Sequence, residues 1–266
     1  MKLSWIDEFV SDWMLSGKSL NTAHAYKRNL IILFEYSADP QLVDVKRWLS
    51  TAQSKEVCRK RAQAARAFGC WCEKVGLEEF GFWRQIPVQK IDIKPQCTVV
   101  QADYKKALSK CLTTRDTALV EVLWSTGMRR EEIARSLIEH IDFVGGFIVV
   151  PTSKNGRPRI VPLSPKARLA LRRFVGRCET GSLLNMTGNA IRLRLRKLGI
   201  ASAHAWRRGW AVQALRSGVS ETSVRAAAGW SSGAMVARYT SALSGELAVE
   251  EFRRIWGQSK ASDRLV

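Results

Sequence analysis

Acidic, tyrosine and histidine side chains are scarce in this chain of 266 residues: 24 Asp plus Glu against 43 Lys plus Arg, with four Tyr and three His. The shortage of acid leaves a formal net charge of +19, which implies a polyanionic partner, although a solvated basic face would give the same count. No convincing cluster of carboxylates could hold two cations, which argues against a metal-dependent nuclease. No apolar run approaches the roughly 18 residues of a membrane span, and the first nine residues carry Asp7 and Glu8 rather than a basic, apolar leader. A cytoplasmic protein is therefore expected. The six cysteines are scattered apart from Cys70 and Cys72, and Cys-x-Cys is not a usual zinc spacing, so free thiols are expected rather than a metal site or a disulfide framework. Internal repeats and low-complexity tracts are absent.

What remains is a globular composition, 46% hydrophobic and 25% charged, long enough for one large domain or two ordinary ones. The charge is uneven. Up to Pro95 there are 15 basic and 11 acidic side chains; beyond it there are 28 and 13. In the first part, Ala23, Tyr26, Leu30, Leu33 and Phe34 recur at helical spacing after Ser19, a plausible N-cap. Further helices are expected around Leu3 to Leu15, Leu42 to Leu49 and Glu56 to Val75, making a small bundle. The last of these puts Cys58, Ala62, Ala65, Phe68 and Cys72 on one side and leaves Arg59, Lys60, Arg61 and Arg66 available to a phosphate backbone. The pattern breaks between Phe82 and Val99, where Pro87 and Pro95 bracket VQKIDIK. The expected organisation is a helical domain over 1–86, a linker over 87–98 with the boundary near Lys94, and a second domain over 99–266. In that second domain, helices are expected over Asp103 to Cys111 and Asp116 to Ser125. FIVV and RIVPL read as strands of a hairpin turning at Asn155-Gly156, and helical spacing resumes after Pro165.

Four short motifs of the second part carry chemistry. In TGMRREEIARSL, Gly127 breaks one helix and Arg129 opens the next, with Glu132 three residues on and able to orient it; taken alone, the motif favours an ordinary surface Arg-Glu pair. In HAWRRGWAV, Trp206, Trp210 and Ala214 share a buried face, while His204 and Arg207 share another near the helix start. There, a neutral imidazole can accept a proton and a guanidinium can hold two phosphate oxygens; a capping His with a solvated Arg is the plainer alternative. Lys154 stands at the hairpin tip, either solvated or folded over a phosphate. Trp230 follows Gly229 in a polar turn, as a core indole or as an N–H donor. Tyr239 follows a run of small residues, GWSSGAMVARYT, and is either a surface tyrosine or a presented nucleophile. A phosphodiester transesterification would use the whole set. Two arginines would neutralise the crowded phosphorus, a base and an acid would serve the two oxygens, and the tyrosine ester would keep the bond energy for religation without ATP.

In order and spacing, Thr126-Gly127-Met128-Arg129 with Glu132, Lys154 ahead of RIVPL, His204-x-x-Arg207, Gly218, Gly229-Trp230 and Tyr239 resemble the tyrosine recombinases of the phage integrase family. The resemblance is strong from Thr114 to Ser241 and weaker in SLNTAHAYKRNLIILFEY, which is similar to the family's core-DNA-binding domain. It implies a mainly α fold with a small antiparallel sheet: a helical core-DNA-binding domain and an α+β catalytic domain closing as a C-shaped clamp on double-stranded DNA. It also implies a site-specific integrase of a phage or mobile element, acting in a bacterial cytoplasm as a homotetramer on a core-type site. The implied reaction proceeds through a 3′-phosphotyrosine and a Holliday junction, with no metal or nucleotide cofactor. Carried onto this sequence, Arg129 and Arg207 would bind the scissile phosphate, and Lys154 would be general acid to the 5′ oxygen. His204 would be general base or phosphate ligand, Trp230 would fill a position usually held by His or Trp, Tyr239 would be the nucleophile and Glu132 would support them. Arg59, Lys60, Arg61, Arg66 and Arg208 would touch DNA elsewhere. The apolar positions Ala248, Phe252, Ile255 and Trp256 suggest a terminal helix that docks on a neighbouring protomer or packs on its own domain. Because helical spacing begins almost at Met1, either a compact form lacking the family's arm-binding domain or a truncated chain is expected. A type IB topoisomerase and a catalytically inactive DNA-binding module are the competing readings.

Overall fold

Apolar side chains at three- and four-residue spacing make four helices of the first 75 residues: α1 (Lys2–Leu15), α2 (Leu20–Tyr36), α3 (Leu42–Ser50) and α4 (Lys55–Lys74). Ser19 precedes α2 as expected but makes no side-chain cap bond, whereas the starts of α3 and α4 are chemically marked. Asp44 accepts the Gln41 N–H at 3.0 Å and Ser54 accepts the Val57 N–H at 3.2 Å, which satisfies backbone donors that a helix start leaves open. The buried stripe of α2, with Ala23, Leu30, Leu33 and Phe34, faces a core that includes Ile6, Phe9, Trp48 and Phe68. Phe68 meets Phe9 edge-on at 5.6 Å and Phe34 at 5.9 Å, pairs worth about 0.5–1.5 kcal/mol each beyond their buried area.

One element of this bundle lies where the sequence pattern breaks. Glu78–Gln85 is a 3₁₀ helix, whose three-residue turn does not follow α-helical spacing. It packs against α4 at Gly69, where a Cβ would lie 2.2 Å from that of Trp83. Glu73 then accepts both the Trp83 indole N–H at 2.9 Å and an Arg84 N–H at 2.8 Å.

The computed structural model describes residues 2–90, 97–151, 158–199, 202–233, 236–237 and 244–262. It divides into two compact units, Met1–Lys94 and Pro95–Val266.

The second unit is organised around α6 (Thr114–Thr126), which follows α5 (Gln101–Ser109). Ala118 to Leu123 are all buried, so α6 has no polar face and runs through the middle of the core. The short helix α7 (Arg130–Arg135) follows, then a 3₁₀ turn, then a three-stranded antiparallel sheet in the order β1 (Ile141–Asp142), β2 (Phe147–Val150), β3 (Arg159–Pro162). The two-residue β1 was not predicted, because two residues carry no alternation. Its register, Ile141 opposite Ile148, is set by Asp142, which accepts the Val144 and Gly145 N–H groups across the turn. The predicted pair of strands forms with Val150 opposite Arg159 and Phe147 opposite Pro162. Beyond the sheet, the described residues include α8 (Pro165–Val175), α9 (Gly188–Lys197), α10 (Ala203–Arg216), α11 (Glu221–Ala228) and α12 (Ser244–Ser262). Among the described residues, no helix is long and apolar enough to cross a membrane.

Three close fits place the functional elements. Gly127 caps α6 in the left-handed conformation at φ +56°, and a Cβ there would come within 2.5 Å of the Trp210 ring on α10. Gly209 lies so close to the entering chain that its Cβ would stand 2.2 Å from the Val99 carbonyl oxygen. Val99 N–H donates to the Ala205 carbonyl at 3.2 Å, which lays this segment along α10.

Candidate active site

Two buried guanidinium groups brace the α6–α7 turn to the C-terminal end of α11. Arg207, projecting from α10 and only 2% exposed, donates from Nη1 to the Gly127 carbonyl at 2.9 Å and from Nη2 to the Ala228 carbonyl. Arg159, the first residue of β3, donates from Nε to the Ala227 carbonyl at 2.8 Å. Its other two nitrogens form a fork on Glu132, with Nη1 to Oε1 at 3.2 Å and Nη2 to Oε2 at 2.7 Å. Both braces thus take the last carbonyls of α11, whose partners within the helix have run out.

Glu132 is shared. Besides Arg159 it accepts the Arg129 backbone N–H at 2.7 Å and the Arg129 Nη1 at 2.8 Å, so Arg129 is both N-cap of α7 and ion-pair partner of its third residue. Burial pushes the Glu132 carboxyl up. The hydrogen bonds from Arg159 and Arg129 and the positive charge of Arg159 outweigh burial and hold it at about 2. The Arg129 side chain stays about one-third exposed while that of Glu132 is 7% exposed, so the carboxylate is the buried anchor and the guanidinium the presented group.

The Arg207 guanidinium lies 4.9 Å over the Trp230 ring. Trp230 follows Gly229, which caps α11 at φ +66°, and packs with Trp210, Val224, Ala228 and Val236 at 6% exposure. Trp230 is thus packed in a small apolar cluster, with the Arg207 guanidinium over its ring. His204 sits in the first turn of α10 with its side chain at the surface. Desolvation, and then the charges of Arg207, Arg208, Arg129 and Arg130, lower its imidazole below the ordinary value, so it is neutral near pH 7 and able to accept a proton.

The structure thus brings Arg129, Glu132, His204, Arg207 and Trp230 together. Arg207 differs from the solvated guanidinium that helix spacing allows, because it is interior and hydrogen-bonded to two helix ends. Lys154 and Tyr239 lie outside the described residues. Lys154 precedes β3 in the chain, and Tyr239 comes ten residues after the Gly229 cap.

Two arginines expected at DNA are held by the protein itself. Arg208 is 9% exposed and donates through Nε and Nη2 to the Cys97 carbonyl, so it fastens the entry of the second unit to α10. Arg61 donates from Nη1 to the Trp48 carbonyl and to Thr51 Oγ1, each at 2.9 Å, with its guanidinium 4.9 Å over the Trp48 ring. It ties α3 to α4. Arg66 lies over Trp83 at 5.8 Å, while Arg59 and Lys60 are exposed on α4.

Sequence reasoning missed Arg159. A signal was available: in RIVPL, strand alternation puts Arg159 on the face of buried Val161 and opposite Ile160, which is 59% exposed. An arginine on the inward face of a strand has to find a buried anion.

Residues 98–246 match the phage integrase family. The tyrosine recombinase XerA of Saccharolobus solfataricus is 24% identical over 209 residues, 72% of this chain and 70% of the relative. XerA of Pyrococcus horikoshii is 25% identical over 171 residues, and there the match spans 64% of this chain but only 59% of the relative. A lambda integrase dimer bound to a COC′ core site is similar in structure, with a TM-score of 0.72 at 16% identity, over 89% of this chain and 76% of that one. At that identity the likeness speaks for the fold.

Proposed function

The chain belongs to the phage integrase family, the tyrosine recombinases, and on that premise we propose that it cuts and rejoins DNA at a specific site through a 3′-phosphotyrosine intermediate. The carrying observation is the convergence of Arg129, Arg207 and a neutral His204 on one turn, held by Glu132 and by the carbonyls of Gly127 and Ala228. Two positive charges held in place by these hydrogen bonds stabilise the extra negative charge of a five-coordinate phosphorus with little reorganisation. In the proposed step the Tyr239 oxygen bonds to phosphorus and gives its proton to His204 or to water. The bond from phosphorus to the 5′ oxygen breaks, and Lys154 protonates that oxygen. Religation is the same step reversed by an incoming 5′ hydroxyl.

The working assembly proposed is a homotetramer on double-stranded DNA with a core-type site, passing through a Holliday junction, in a phage or mobile-element integrase. The basic first unit is proposed to grip the duplex from α4. Support for protomer docking comes from α12, which is tied to α10 by Arg216 with Glu246 and Glu250 but leaves Val249, Phe252, Ile255 and Trp256 49–63% exposed. A helix that exposes such a stripe buries it elsewhere.

Covalent trapping tests the chemistry. Wild type and Tyr239→Phe are incubated, without added metal, with DNA nicked just beyond a candidate cleavage site, and then denatured. A protein-DNA adduct from wild type alone is expected. Equal adduct from both would remove Tyr239 as nucleophile, and tight binding without adduct across a library of sites would leave a DNA-binding module.

A further inference from the structure

We propose that Arg159, a residue outside the set of phosphate-facing groups, is a positioning residue for the reaction: it locks Arg129 to the end of α11 from which Trp230 and the Tyr239 segment depart. The inference rests on the reading of the site given above and concerns how its parts are kept in register.

Arg159 makes four contacts that no other described side chain combines. Through its fork it fixes both oxygens of Glu132, and each of those oxygens also holds Arg129, one by its guanidinium and one by its backbone N–H. A carboxylate gripped on one side by a planar fork cannot rotate, so Arg129 inherits the orientation. Through Nε, Arg159 holds the Ala227 carbonyl, next to the Ala228 carbonyl taken by Arg207. Its aliphatic stem lies against Gly229, where a Cβ would stand 3.0 Å from Arg159 Cδ. The left-handed cap at φ +66° and the buried arginine therefore specify each other, and the chain leaves this cap toward Trp230. Arg159 is also the residue at which β3 begins, so the strand that follows the Lys154 hairpin is anchored at the same point.

The energetics fit a positioning role better than a stabilising one. A buried ion pair returns little net stability, since desolvation of both partners offsets their attraction, whereas losing one partner strands the other charge. Its distinctive product is a fixed geometry, and misplacement by about 1 Å costs on the order of 10²-fold in a reaction that depends on alignment.

The test combines single-turnover adduct formation at saturating DNA, its pH profile, and the NMR signal of the Trp230 indole, assigned with Trp230→Phe. For Arg159→Ala the expected result is adduct formation slowed about 10²-fold with DNA affinity unchanged. The acid limb should move to higher pH, because Glu132 loses the partner that keeps it ionised, and the Trp230 signal should shift and broaden. Arg159→Lys, which keeps the charge without the fork, should slow the reaction as well and so serves if the alanine variant does not fold. Glu132→Gln combined with Arg159→Ala should be little slower than either alone, as expected of one coupled unit. Arg84→Ala, an exposed arginine of the first unit, should leave the Trp230 signal in place. A folded Arg159→Ala with wild-type rate, acid limb and Trp230 signal would overturn the proposal. Should wild type form no adduct at all, the recombinase reading falls, while the Trp230 signal still decides whether Arg159 positions the cap.

Discussion

In the first unit, the residues that disappear from solvent, from Ile6 to Ile86, form an apolar, aromatic core with its arginines kept at the rim. In the second unit, Asp116, Glu121, Thr126, Glu132, Ser136, Arg207 and Arg208 are buried as well, together with the side chain of Arg159. Burying an ion costs several kcal/mol that its partner only partly returns, so a fold needing stability alone would use the first solution throughout. The second unit departs from it where geometry has to be fixed. Arg207 and the Glu132–Arg159 pair meet at one turn, Asp116 pairs with Arg194 of α9, and Glu121 takes the Tyr104 hydroxyl at 2.7 Å. The contrast separates a unit built to hold together from one built to hold groups in place.

Arg207→Ala breaks that contrast most severely. It removes two hydrogen bonds from the ends of α6 and α11 and, in the proposed reaction, a charge from the phosphate, so the cleavage rate should fall by more than about 10³-fold, since loss of one stabilising donor already costs 10²- to 10³-fold. Stability should drop as well, by about 3–5 kcal/mol, as the Gly127 and Ala228 carbonyls are left buried. Trapping assays beside urea denaturation would show both losses in one variant. Phe68→Ala should show only the second. Its ring is 1% exposed, and truncation should cost about 3–5 kcal/mol through a cavity in the first core, with adduct formation per bound complex unchanged. A rate defect of Arg207 size in that variant would erase the division between the units.

The pH dependence of unfolding sharpens the comparison by a smaller amount. The Glu132 carboxyl lies at about 2 in the folded state against an ordinary 4.5. Its depressed value gives stability that is present above pH ~4.5 and lost as pH falls toward 2, on the order of 3 kcal/mol. Glu132→Gln should flatten that acid limb in urea titrations.

Much of this division was legible beforehand, and the illegible parts have physical reasons. Helix periodicity located α1 to α4 because each buries one stripe, and Gly127 could be read as a stop because a left-handed cap favours glycine. The 3₁₀ segment at Glu78–Gln85 was hidden, since its fit depends on the absence of a side chain at Gly69, which spacing does not report. The motif order pointed to Arg129, Glu132, His204 and Arg207, yet the depth of Arg207 was out of reach: helical spacing gives a face but not what lies on it. Arg208 and Arg59 look alike in a charge count. Only tertiary contacts tell an arginine that clamps the Cys97 carbonyl from one facing solvent.

The smallest effects distinguish three neighbouring cations on α4. Lys60 pairs with Glu56 at 3.1 Å with both side chains about two-thirds exposed, and exposed pairs of this kind contribute little. Arg59→Ala and Lys60→Ala should each change unfolding free energy by less than about 0.5 kcal/mol. If these side chains meet phosphates, each loss should lower the slope of log affinity against log salt by about one. Arg61→Ala should do the reverse, costing about 1 kcal/mol of stability through the lost Trp48 and Thr51 bonds while leaving the salt slope alone. Should Arg61→Ala instead reduce the slope with stability intact, its bonds to Trp48 and Thr51 would be exchanged for phosphate on binding. The first unit would then also hold a cation ready for its ligand, and the contrast with the second would be one of degree.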